Sequence, residues 1–391
     1  MSWHALPAEL HLAVVVLLPA ASTVALAATS RAAHALCLPR VFAAVSIPSA
    51  DALLAFARHV PPHYGQYIKS LAVSTKQPHP PCTDALAAIL ASSTRLQALS
   101  LSLAGSLSPQ RILPAFARLS NLHSLDISSS APEHVAPLSE RLVVALAASL
   151  PALARLSLAR ITRSALHVDP CDAPHDVPLV MNDFDVPPHP ILGTNLSIPN
   201  LLRIPSLRSL QIRDTWLSCD TKLDTHASSS LDSLLLTGSM YPDDAQHEAL
   251  ACTAWLRACA PSLRTLYLGT SLAIPHVPSR QPSLALPQLS HLHINASRTT
   301  VDTLPDTLAV LSSSPVECIT ITYKDSLPIA AESDREKQLV DNFARQCALD
   351  DLEDWRDAIN TFLITRSNQE WSALQSIHIS FGDDIHASWD L

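Results

Sequence analysis

One pattern limits what this chain can fold into more than any other. A hexamer of the form apolar-x-x-apolar-x-apolar recurs ten times. The copies are Ile68/Leu71/Val73, Leu96/Leu99/Leu101, Leu122/Leu125/Ile127, Leu153/Leu156/Leu158, Leu207/Leu210/Ile212, Leu231/Leu234/Leu236, Leu263/Leu266/Leu268, Leu289/Leu292/Ile294, Val316/Ile319/Ile321 and Leu374/Ile377/Ile379. Their central residues are separated by 28, 26, 31, 54, 24, 32, 26, 27 and 58 positions, so the two long intervals are about two periods. Within a copy, alternate residues share one face of a short strand. The stretch before a copy is often apolar at helical spacing, as in Asp84–Ala91 and Glu140–Ala147. One strand and one helix cannot bury their apolar faces alone, but stacked neighbours can. The pattern predicts an α/β repeat array.

Composition narrows the function. With 48% hydrophobic residues in 391, there is ample material for a core. Charged residues are only 16%, the net charge is −9 and no dense basic block occurs, which argues against nucleic-acid binding. The six glycines are never closer than 31 residues. That spacing excludes the dinucleotide fingerprint, the phosphate-cradling P-loop and the G-x-S-x-G elbow. Eight cysteines contain no C-x-x-C pair. Scattered, buried, reduced thiols are expected, which suits a cytoplasmic or nuclear protein.

The strand pattern resembles the leucine-rich-repeat family, in its longer strand–helix form, over roughly residues 65 to 382. The resemblance implies a solenoid with parallel strands on a concave face and helices outside. Where the family often places Asn or Cys after the strand, this chain has Ala104, Ser130, Ile161, Thr215, Ser239, Ser271, Ser297, Lys324 and Gly382. Hydroxyls are expected to bond the backbone in some of these turns, and the turns to be irregular. Residues at about 168–200 carry seven prolines and five aspartates, and read as an acidic insertion loop outside the repeat core. A second insertion, at about 332–371, reads as helical. Ser333 and Glu336 suggest a capping box there, and Leu352, Trp355, Ile359, Phe362 and Leu363 follow helical spacing.

The first forty-odd residues form a different module. Leu6-Pro7, Glu9-Leu10, an apolar helix ending Leu17-Leu18-Pro19, Ser22 ahead of Val24 and Leu26, Ser30-Arg31 and Leu36–Pro39 together resemble the F-box motif, particularly as it occurs in fungal F-box proteins. Ala33-His34 stand where the motif often has an aromatic residue. Pro7 suits a helix start, Pro19 a helix stop, and Ser22 a cap for the next helix. Three short helices give a marginal core that a partner would complete. The alternative reading of these helices is a cap on the first repeat. The domain assignment is 1–47 for the F-box and 48–391 for the leucine-rich-repeat-like domain.

What the F-box resemblance implies is a substrate-recognition adaptor of a Skp–cullin–F-box ubiquitin ligase. It would bind a Skp-family adaptor, and through it a cullin scaffold, by Leu6, Pro7, Leu10, Val14, Leu18, Pro19, Val24 and Leu26. Residues flanking the central strand leucines would face a protein target. They are bland in the first copies but become Arg213, Tyr267, His291, His293, Asn295 and His378 later. An ordinary solvated strand face is the alternative there. No catalytic residue, cofactor or metal site is expected. His291-x-His293 could chelate, yet no acid or cysteine lies at a matching spacing. No membrane contact is expected either, since the run Leu12–Ala28 is interrupted by Pro19, Ser22 and Thr23. The run contains Ala25-Leu26-Ala27, which resembles a signal-peptide cleavage site, although no Lys or Arg stands ahead of Arg31 to make the positive n-region. A secreted leucine-rich-repeat recognition protein with a cleaved signal peptide is therefore the alternative.

Overall fold

The computed structural model describes residues 7–75, 80–168, 177–217, 229–238, 241, 245–272, 284–295, 301–323, 350, 352–364, 371–381 and 385–391. The chain forms two compact units, Met1–Pro170 with Pro178–Leu201, and Cys171–Val177 with Leu202–Leu391.

The first unit opens with three helices, α1 (Ala8–Leu17), α2 (Ala20–Ala27) and α3 (Arg31–Val41). Pro7 and Pro19 both stand at N-cap positions, where a missing N–H costs nothing. Ser22 therefore lies inside α2 and caps nothing, contrary to the sequence reading; Thr23 bonds back to the Pro19 carbonyl at 3.1 Å instead. Ser30 caps α3 by accepting from the Ala33 N–H at 3.1 Å.

Strand–helix units follow: β1 (Ala44–Ile47), α4 (Ala50–His59), β2 (Ser70–Ser74), α5 (Pro80–Ser92), β3 (Ala98–Leu103), α6 (Pro109–Phe116), β4 (Ser124–Ser129), α7 (Glu140–Ala148) and β5 (Arg155–Ala159). β1 to β5 pair in parallel in chain order, with Val45, Leu71, Leu99, Leu125 and Leu156 in one register column. Successive helices pack side by side, α4 on α5, α5 on α6 and α6 on α7. β1 lies inside the segment assigned by sequence to the helical module. The strand row thus begins at Ala44, because Val45 and Ile47 alternate like the later copies and Ile47 is buried.

In the second unit β8 (Ser209–Arg213), β9 (Ser233–Leu236), β10 (Thr265–Leu268), β11 (His291–Asn295), β12 (Cys318–Tyr323) and β13 (Ser376–Phe381) pair in parallel. Helices α8 (Ala245–Cys259) and α9 (Leu304–Val310) fill two of the connections. Leu210, Leu234, Leu266, Leu292, Ile319 and Ile377 form the register column. All ten sequence copies are therefore strands, and none of their thirty apolar positions is more than 6% exposed. A last strand, β14 (Ile385–Asp390), pairs antiparallel with β13 and was not anticipated. Of the second insertion, residues 352–364 are helical, with Leu352, Trp355 and Ile359 buried and Phe362 edge-on to Trp371. Ser333 and Glu336 lie outside the described residues.

Hydroxyls do serve the turns. Ser130 donates to the Thr75 carbonyl at 2.6 Å, and the Thr75 hydroxyl accepts from the Ala104 N–H at 3.3 Å. Thr215 donates to the Arg213 carbonyl, and Ser271 meets Thr307 at 3.1 Å. Arg160 and Asp214 end β5 and β8 with positive φ of 54° and 50°, so these turns are irregular as expected. Ser239, Ser297, Lys324 and Gly382 lie outside the described residues.

The acidic insertion departs from the sequence reading. Residues 169–176 lie outside the described set, but 178–200 are built into the first unit. Here β6 (Arg163–Ser164) pairs with β7 (Leu179–Val180), and Val186, Leu192, Leu196 and Ile198 are buried. Beneath them is a charged network. The Asp183 carboxylate accepts from the Ser139 and Ser164 hydroxyls at 2.6 and 2.8 Å. Arg141 donates to the carbonyls of Asp183, Val186 and Thr194 at 3.2, 3.3 and 3.1 Å. Glu140, fully buried, pairs with Arg163 at 2.8 Å and His167 at 3.0 Å, and accepts from the N–H groups of Ser164 and Ile198. Proline removed the helix signal that would have revealed this packing, while the polar partners sit far away in sequence.

Burial alone would raise the Glu140 carboxyl, but the Arg163 guanidinium, His167 and the Ser164 N–H outweigh it and hold it below the ordinary glutamate value. The folded state therefore binds that proton less readily than the unfolded chain. The associated stability is present above about pH 4.3 and is lost as pH falls toward the lower folded value. Glu140→Gln leaves Arg163 buried without its counter-charge, at a cost of about 3–5 kcal/mol. Urea melts at pH 7 should show that loss, and the variant's stability should fall less steeply than wild type below pH 4.3.

Candidate functional site

Two surfaces hold the residues that the sequence singles out. On the helical module, Pro7, Leu10, Val14, Pro19 and Val24 are exposed, and Leu18 and Leu26 are half-buried; Leu6 lies outside the described residues. The core beneath consists of Val15, Thr23, Ala33 and Cys37. Leu12, Val16 and Leu17 are exposed as well, Leu17 at 84%, and were missed. The signal was available: α1 reads AELHLAVVVL, apolar on every face, whereas a helix packed on one side needs a single apolar stripe. Beside it, Val24, Ala27, Ala28, His34, Leu38, Val41 and Phe42 line an open apolar hollow of about 250 Å³. So large an apolar surface on helices this short is one that a partner can dehydrate.

The second surface is the open face of the strand row in the second unit. The residue after each central leucine or isoleucine falls in one line across it: Gln211, Leu235, Tyr267, His293, Thr320 and His378. At about 4.8 Å per strand this line is about 24 Å long. Tyr267 and His293 stack with ring centroids 4.2 Å apart and planes at 11°. His291 and Asn295 flank His293 along β11, and His291 Nδ1 lies 2.8 Å from the Ser290 hydroxyl. Burial, together with the charge of His291, holds the His293 imidazole below its ordinary pKa, so at neutral pH it is an uncharged donor and acceptor.

The structure thus brings Tyr267, His293 and His378 into one row with His291 and Asn295 beside it. Arg213 stands to Gln211 on β8 as Asn295 stands to His293 on β11, two residues further along the same open strand face, at the strand end before the turn at Asp214. Leu235 and Thr320 were missed, although their positions next to the central residues mark them. In the first unit the same positions are Ala72, Ser100, Asp126 and Ser157, and Asp126 is partly spent on the Ser100 hydroxyl at 3.1 Å.

Among the described residues, no group of three His, Cys, Asp or Glu could hold a metal ion. Likewise, no helix among them is long and apolar enough to cross a membrane. Cys37, Cys82, Cys252 and Cys259 are buried free thiols, and burial pushes the Cys259 thiol up to about 12. Among the described residues, Glu140 and His167 form a carboxylate–imidazole pair with hydrolase-like geometry. His167 Nε2, however, faces Arg141 Nη1 at 3.5 Å, where a nucleophilic hydroxyl or thiol would have to stand. This pair is part of the brace under residues 178–200.

No protein-family model matches the chain, and no curated protein matches it. Among solved structures, the leucine-rich repeat-containing protein LegL7 from Legionella pneumophila is 15% identical over 78% of this chain and 92% of its own, with a TM-score of 0.40. Rad7, solved in complex with Elc1 from yeast, is 14% identical over 83% and 91%, with a TM-score of 0.28. The α/β repeat architecture of this chain is established by its own ladder of parallel strands.

Proposed function

We propose that this chain is a substrate-recognition subunit of a Skp–cullin–F-box ubiquitin ligase, working in the cytoplasm or nucleus. The observation that carries the reading is the apolar surface of α1 and α2, left open on a small three-helix module whose sequence resembles the F-box motif. Such a surface gains most when a partner covers it, at about 25 cal/mol per Å² of apolar area. In this reading a Skp-family adaptor covers it and connects the chain to a cullin scaffold. The open face of the second unit then takes a protein target through Tyr267, His293 and their neighbours. The chain performs no bond chemistry; it raises the local concentration of target at the ligase.

The module is tested with Leu10→Ala/Val24→Ala. Both side chains are exposed, so the melting temperature should barely change. Loss of two interface anchors should weaken adaptor binding by about tenfold or more in a pull-down titration. A double variant that binds the adaptor as tightly as wild type refutes the F-box assignment.

The target face is tested with Tyr267→Ala/His293→Ala. Removing a central stacked pair typically costs about 2 kcal/mol or more of binding, roughly thirtyfold. Proteins captured under proteasome inhibition should be lost while adaptor binding persists. Ser100→Ala/Ser157→Ala, on the first unit, should change neither. Unchanged capture by the Tyr267/His293 variant would move the target site elsewhere.

A further inference from the structure

Apart from α1, α2 and Val135, the large apolar side chains exposed on the first unit gather around one piece of chain. Phe184 is 67% exposed and Ile191 60%, with Met181 and Leu166 also exposed. Leu166 follows β6 and Met181 follows β7, the two strands of one parallel pair. Phe184 and the turn carrying Ile191 are held together from below. One guanidinium, that of Arg141, takes the carbonyls of Asp183, Val186 and Thr194. His189 and Gly193 close the turn with reciprocal bonds of 2.9 and 2.7 Å, and the Ile191 N–H donates to His189 Nδ1. The segment therefore shows apolar side chains to water from a backbone that is already fixed. A ligand docking there loses little free energy to ordering it.

Charge says what could cover it. Residues 178–200 contain no Lys or Arg; Asp183 is buried in the network beneath them, and Asp185 is exposed directly after Phe184. A second copy would set aspartate against aspartate on a chain of net charge −9. Anionic lipid and nucleic acid are repelled in the same way. A protein segment with an apolar face and a basic rim meets both features.

We propose that residues 178–200 form a docking site for a basic amphipathic segment of a protein partner. Its apolar side chains cover Met181, Phe184 and Ile191, and its Lys or Arg side chains meet Asp185. This site goes beyond the ubiquitin-ligase reading and stands without it.

The test uses the full chain and three labelled helical peptides of about five turns: a Leu/Lys amphipath, the same pattern in Leu/Glu, and a Ser/Lys peptide of equal charge. Fluorescence anisotropy should show the Leu/Lys peptide binding tightest. Phe184→Ser/Ile191→Ser should weaken it by about tenfold or more. Asp185→Lys should weaken it several-fold, while Tyr267→Ala/His293→Ala leaves it unchanged. Both serine replacements are at exposed positions, and an unaltered melting temperature confirms the fold. Equal affinity of the Phe184/Ile191 variant for the Leu/Lys peptide overturns the site. So does binding of the Leu/Glu or Ser/Lys peptide as tight as that of the Leu/Lys peptide.

Discussion

Everything in this molecule is hung on two columns of apolar side chains in register. Leu71, Leu99, Leu125 and Leu156 stand beside one another in the first unit, and Leu210, Leu234, Leu266, Leu292, Ile319 and Ile377 in the second. A slip of one residue would turn each strand's leucines to solvent and its serines and histidines inward. Burying an unpaired imidazole or hydroxyl costs more than the ladder bonds return. The column therefore fixes the open face as firmly as it fixes the core. That is why Tyr267 meets His293 and not His291.

Where the period doubles, the chain uses two different means of staying packed. Near residue 359 an amphipathic helix fills the interval with Trp355 and Ile359, an ordinary apolar solution. Between β5 and β8 in sequence, a proline-rich segment cannot form such a helix, and buried charge takes over. Arg141 binds three carbonyls that have no strand or helix partner there, and Asp183 and Glu140 collect the remaining donors. A buried ion network contributes little net stability compared with apolar packing, but breaking one member is costly because the others stay buried. Its effect is positional: Arg141, Asp183 and Glu140 each bind groups from separate stretches of chain and so fix where the loop lies.

These differences also set what could be read from the sequence. Ten strands were legible because the signal for each is local, three apolar residues within six, and is repeated. The first helix start and break were legible from Pro7 and Pro19, whereas the cap that the structure shows is Ser30 on α3 and not Ser22 on α2. β1 carries the same spacing, as Phe42/Val45/Ile47, but was hidden because those residues fall within the segment read as the helical module. β14 was hidden because an antiparallel return strand needs no repeat signature. The brace was illegible for a stronger reason: Glu140 finds its partners at 163, 164, 167 and 198, and nothing in local composition reports such contacts. In the candidate target row, Tyr267, His293 and His378 follow from counting one residue past each column position. The same count yields Leu235 and Thr320, and Arg213, His291 and Asn295 stand two residues along their strands on the same face.

The Tyr267–His293 stack shows how closely recognition and folding are joined in a parallel ladder. Neighbouring strands stand about 4.8 Å apart, while the two ring centroids are 4.2 Å apart, so the rings lean toward each other. Stacked in this way they cover one another's faces and leave their edges, a phenol and a neutral imidazole, for any ligand. Aromatic contact of this kind contributes about 0.5–1.5 kcal/mol to the pair itself. The stack also keeps His293 desolvated, which together with His291 favours its neutral form. Protonation would add a charge beside His291 and weaken both the pair and the surface it presents. A row built this way suits uncharged, hydrogen-bonding partners, whereas residues 178–200 of the first unit present acid and apolar surface. The two faces select by different chemistry, and a partner fitted to one has little to gain from the other.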